Sequence, residues 1–209
     1  PIALDLETTN HIVEKVDNLK VPVQIGFHRR FDAGYVRARA EVQSGSLGRI
    51  YQVRAFAHDP APPHESYIEA SGGQYRDLHI HDFDIIPWVT GLEFVEIYAE
   101  GSVLVDDAFA RHGDVDTTIA LFSLSDRVLG TMAGSRHNPL GYDIRMEIYG
   151  SRDSIAIGWD ARTPLRSIEP GYSSETVDYY SSFLDRYSKA YEAEIVEFLR
   201  LAKGEIENP

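Results

Sequence analysis

Apolar positions recur along the chain with two periods. Residues 6–18 place Leu6, Ile12, Val13 and Val16 at helical spacing with polar residues between them. Val21–Phe27 follows as a short apolar run ended by charge, which predicts a buried strand. A helix followed by a buried strand is one step of a parallel sheet. A second helix is predicted from Asp32, an N-cap residue type, to Ser44, with Gly45 closing it.

Beyond Gly45 the period shortens to two. Arg49–His58, Glu93–Ser102, Thr117–Leu124, Arg127–Ser135, Tyr142–Tyr149 and Ser154–Trp159 all read as strands. Ser125-Asp126-Arg127 between two apolar runs is a hairpin signal. Leu78–Val89 is helical by spacing. A last helix is predicted over Tyr180–Ala202, with Phe183, Tyr187, Tyr191, Ile195 and Phe198 on one stripe. The fold class is therefore α+β: a large, open-faced, mostly antiparallel sheet with helices on one face, preceded by one αβ step. Thr117–Leu124 is apolar on both sides, with Ile119 and Leu121 facing one way and Ala120 and Phe122 the other. If helices cover one face, the other needs a partner, which predicts a homo-oligomer.

Charge narrows the choice of partners. Acidic residues outnumber Lys and Arg by 33 to 20, a formal charge of -13, which argues against nucleic acid or an anionic membrane surface. No apolar run approaches the ~20 residues that cross a bilayer. The chain has no cysteine, which removes disulfide and thiolate chemistry and suits the cytoplasm. It opens on Pro1 rather than Met and ends in a loop-like stretch, so a piece of a longer protein is expected.

Candidate chemistry concentrates in residues 71–84. Two glycines, Gly72 and Gly73, allow close backbone approach to a ligand. Asp77 and His81 are four apart, so on one helix they meet, and a carboxylate beside an imidazole sets up a general base. The same spacing also fits a helix cap at Asp77. His79-x-His81 with Asp82 and Asp84 superficially resembles a metal-ligand run, but residues two apart on a helix diverge, so no metal is predicted. Arg29 lies where the apolar run meets a helix, the place where α/β sheets bind ligands. His58-Asp59-Pro60 ends one strand and Arg136–Asp143 another; there Tyr142 offers a hydroxyl donor. No glycine-rich phosphate loop, serine elbow or cysteine nucleophile is present.

Five segments carry a resemblance: Pro1–Leu4, Gly26–Asp32, Ser71–Asp84, Gly141–Glu147 and Phe183–Tyr187. In this order they are similar to the glucose-fructose oxidoreductase/inositol dehydrogenase/rhizopine catabolism family. The resemblance implies a two-part enzyme, with residues 1–30 the end of an NAD-binding Rossmann domain and 31–209 a substrate-binding and oligomerisation domain. It implies NAD (or NADP) as cofactor and oxidation of a secondary hydroxyl of myo-inositol or a similar cyclitol to a ketone, in a cytoplasmic tetramer. Another sugar dehydrogenase, or a non-catalytic polyol-binding domain, is the alternative. Carried over by position, His81 takes the hydroxyl proton and Asp77 orients it. Arg29, His58, Asp59 and Tyr142 lie at the polyol. Pro1 and Arg29 lie at the cofactor, and the family's catalytic Lys would immediately precede Pro1.

Overall fold

A computed structural model describes residues 2–3, 5–171 and 178–207. Six strands form one sheet: β1 (Ile50–His58), β2 (Phe94–Ser102), β3 (Thr117–Leu124), β4 (Leu129–Ser135), β5 (Asp143–Gly150) and β6 (Ser154–Ile157). Their spatial order is β2-β3-β4-β1-β5-β6. Every neighbouring pair is antiparallel except β1 and β4, which run parallel, with His58 opposite Ser135. The two strands therefore leave the sheet side by side at the same end.

Alternation assigns the faces. Val53, Ala55 and Ala57 of β1, Ala120 and Phe122 of β3, Met132 of β4, and Ile144, Met146 and Ile148 of β5 are buried together. Helices cover this face: α2 (Ala33–Ser44) through Tyr35 and Ala38, α5 (Ile80–Thr90) through Ile85, Ile86 and Val89, and α7 (Phe183–Ala202) through Tyr187 and Ala190. The opposite face stays open, with Ile119, Leu121 and Leu129 exposed.

Local chemistry sets the ends of α2. The Asp32 carboxylate accepts from the Gly34 and Tyr35 amides, and Gly45 closes the helix at φ 75°. The β3–β4 turn forms where expected, with Asp126 and Arg127 both left-handed.

Three expectations are corrected. Val21–Phe27 is not a strand among the described residues. A strand needs a hydrogen-bonding neighbour, none pairs with this segment, and Val21, Val23 and Ile25 are exposed. The preceding helix, α1 (Leu6–Leu19), likewise buries none of its described residues. The inward face of α7 is rotated from the predicted stripe: Tyr187, Ala190 and Glu194 are buried, while Ile195 is 60% exposed. The short helices α3 (Glu65–Ser71), α4 (Gln74–Asp77) and α6 (Asp107–Arg111) were not foreseen.

Candidate active site

The ends of β1, β4 and α4 and the start of α7 enclose a cleft of about 560 Å³, within the range of small-molecule sites. His81, Asp77, Asp59 and Tyr142 line it, together with His28, Tyr67, Arg136 and Tyr191.

Asp77 and His81 share this wall but do not hydrogen-bond to each other. The helical run breaks at Leu78–His79, between α4 and α5, so the pair is not on one continuous helix. Asp77 instead accepts from the Tyr67 hydroxyl at 2.6 Å and from Arg136 at 2.6 Å. Tyr67 is pushed up to about 12 by burial and by this carboxylate.

The His81 ring packs edge-on to His28, centroids 4.9 Å apart, and His28 stacks on Tyr191. Burial and the nearby Arg29 guanidinium hold His81 down to about 3 and His28 down to about 4. Both imidazoles are therefore neutral at pH 7. His81 Nδ1 and His28 Nε2 are buried without a partner among the described residues.

Arg29 does not line the cleft. It is 2% exposed and donates to Asp82 at 2.5 Å, behind the histidines. Asp82 also pairs with His79 Nδ1 at 2.7 Å. Burial alone would raise Asp82, but Arg29 and His79 together hold it below the ordinary carboxylate range. The other His79 nitrogen meets Thr118, so His79 is tied to the sheet while His81 faces the cleft. That divergence separates the two imidazoles a metal would need, and among the described residues no three His, Cys, Asp or Glu gather as ligands.

His58 lies across the sheet from the cleft. It follows Ala57, whose side is the core, so it points to the open face, where its Nδ1 sits 3.5 Å from Asp143. Pro1 falls outside the described residues.

Arg136, Tyr67 and His28 complete the wall and were not singled out from sequence. Arg136 is 4% exposed and bridges Asp59 at 2.9 Å and Asp77. Its segment ends a strand, which was the available signal; its partners are remote in sequence.

Residues 35–156 match the model of the GFO/IDH/MocA C-terminal domain. The chain belongs to the GFO/IDH/MocA family. A Streptomyces leeuwenhoekii relative named myo-inositol dehydrogenase is 36% identical over 98% of this chain and 61% of its own length. A solved myo-inositol dehydrogenase from Corynebacterium glutamicum superposes with a TM-score of 0.85 at 32% identity, over 97% of this chain and 61% of that one. The scyllo-inositol dehydrogenase of Lactobacillus casei, solved with NAD(H) and scyllo-inositol, gives 0.82 at 26% identity, covering 99% of this chain and 62% of that one. The chain thus spans about three fifths of the length of these relatives.

Proposed function

We propose that this chain is the substrate-binding part of a longer NAD-dependent dehydrogenase that oxidises a secondary hydroxyl of myo-inositol or a close cyclitol to a ketone. The observation that carries the reading is a neutral imidazole, His81, in a cleft wall that also presents Asp59, Asp77 and Tyr142. Residues 1–30 are read as the last step of a nucleotide-binding domain and 31–209 as the substrate domain.

The residues present fit only part of a dinucleotide. The unpartnered His28 Nε2 and the backbone at Gly26, beside the cleft, suit a planar amide-bearing ring. The chain holds no glycine-rich loop, so the phosphates are bound elsewhere. A bound nicotinamide supplies the hydride acceptor for the carbinol carbon.

His81 accepts the hydroxyl proton as the hydride leaves. An imidazole held this far below its usual range keeps a proton only in passing, so the proton moves on, and Asp77 in the same wall and the open cleft offer its exits. Tyr142 and Asp59 donate to and accept from the remaining hydroxyls. Tyr67 and Arg136 fix Asp77 rather than His81 itself. Burial keeps both imidazoles neutral, and Arg29 reinforces this from behind.

The reading extends to assembly in the cytoplasm as a tetramer whose open sheet face meets a second copy; light scattering on the whole protein tests this. Among the described residues no helix is long and apolar enough to cross a membrane.

The deciding experiment follows NADH formation by the longer protein with myo-inositol, wild type beside His81→Ala. Loss of at least ~100-fold is expected for a general base. Turnover of another polyol alone keeps the family and changes the substrate. Turnover untouched by the substitution removes His81 as proton acceptor, and no turnover of any polyol favours a binding domain.

A further inference from the structure

Two carboxylates line one end of the cleft, and a single guanidinium holds both. Arg136 NH1 donates to Asp59 Oδ2 at 2.9 Å and NH2 to Asp77 Oδ2 at 2.6 Å. The fork is anchored at its root, because the Arg136 amide donates to the Asp116 carbonyl and the Asp59 amide to the Ser135 carbonyl. Asp77 Oδ1 is engaged by Tyr67, whereas no described residue donates to Asp59 Oδ1, and both aspartates line the cleft.

We propose that Arg136 is a positioning residue of this site: it clamps Asp59 and Asp77 in a fixed relative geometry, so that neighbouring polyol hydroxyls meet acceptors at a set spacing. The proposal rests on the polyol dehydrogenase reading above. Neighbouring carboxylates disfavour each other's charge, and a cation between them offsets this. Asp59 stands above the ordinary carboxylate range: burial raises it, Arg136 pulls it part of the way back, and Asp77 pushes it up again. A lysine supplies the charge but not the fork, since its single ammonium cannot reproduce two fixed donor directions.

The test is steady-state oxidation of myo-inositol by the longer protein across pH, for wild type, Arg136→Met, Arg136→Lys and the double variant Arg136→Met/Asp59→Asn. Arg136→Met is expected to lower kcat/KM at neutral pH by about 10- to 100-fold, the scale of one charged hydrogen bond. Its acid limb should move up, because Asp59, already raised by burial, loses the cation that pulls it down. Adding Asp59→Asn removes the repulsion and returns the limb. Arg136→Lys should keep the limb and raise KM by about tenfold, and it carries the test if Arg136→Met does not fold. A merely structural arginine would leave the limb in place, so an unmoved limb in folded Arg136→Met, or a wild-type KM in Arg136→Lys, overturns the assignment alone. Absence of turnover by the wild type with any polyol overturns the underlying reading and the assignment together.

Discussion

Asp82→Ala isolates the buried ion pair behind the histidines. Arg29 and Asp82 are 2% and 1% exposed, with 2.5 Å between donor and acceptor. Removing the carboxylate leaves a guanidinium in the core whose Nε and second amino group already lack partners among the described residues. Breaking a buried pair from one side costs about 3–5 kcal/mol. Since native domains hold only about 5–15 kcal/mol, the variant loses at least about a fifth of its stability. At a urea slope of about 2–3 kcal/mol/M the unfolding midpoint falls by roughly 1–2.5 M. The informative partner is Arg29→Met/Asp82→Leu, which removes both charges and keeps most of the volume. It leaves only His79 Nδ1 short of an acceptor, a cost of about 1–3 kcal/mol. The double variant should therefore be more stable than the single one. Circular dichroism in urea on the three proteins decides it. A loss below about 1 kcal/mol in Asp82→Ala, or a double variant no more stable than the single, would refute the argument that the cost is a stranded charge.

Three further outcomes follow from the same structure. A β-carbon on Gly130 would lie 2.1 Å from the Phe122 ring and 2.8 Å from the Val53 carbonyl, so Gly130→Ala should lose about 1–3 kcal/mol by urea unfolding; a wild-type midpoint would mean the sheet is looser here than described. Asp32 both caps α2 and pairs with Arg186 at 2.9 Å, so Asp32→Ala should cost about 2 kcal/mol in thermal unfolding and Asp32→Asn, which keeps the cap, clearly less; equal losses would assign the whole effect to the ion pair. His28 is neutral when folded down to about pH 4 but binds a proton below about 6.5 when unfolded, so the unfolded state holds more protons in that window and stability falls as pH drops through it. His28→Phe should flatten the slope of stability against pH between these values by up to about 1.4 kcal/mol per unit, and parallel curves for the two proteins would contradict the buried neutral imidazole.

What the sequence made legible was what local chemistry decides. Asp32 and Gly45 mark the ends of α2 because a cap carboxylate and a left-handed glycine act within one turn. The alternation of Val53, Ala55 and Ala57 marks β1 and its buried face. The same alternation fixes the face of His58: one position beyond Ala57, it points away from the core. The buried setting of Arg29, by contrast, is invisible to local pattern. A charged residue at the end of an apolar run suggests a surface or a ligand, and its partner Asp82 lies 53 positions away, beyond any local pattern. Arg136 was passed over for the same reason, since its two aspartates are 77 and 59 positions distant. Val21–Phe27 carries a strand pattern, but no described residue pairs with it, and apolar spacing alone does not supply a neighbour.

The parallel pairing of β1 with β4 has a kinetic consequence. Asp59 and Arg136 become neighbours only after a loop of 77 positions has closed, which costs on the order of 4 kcal/mol in chain entropy before any contact repays it. The hairpin of β3 and β4 forms from adjacent sequence and offers no such contact. The cleft therefore exists only in chains that have completed this long-range pairing, and the polyol proposed above would stabilise those chains alone. Ligand added during refolding should leave the rate of the early phases unchanged and act by retarding unfolding, which makes the site a reporter of finished topology rather than a template for it.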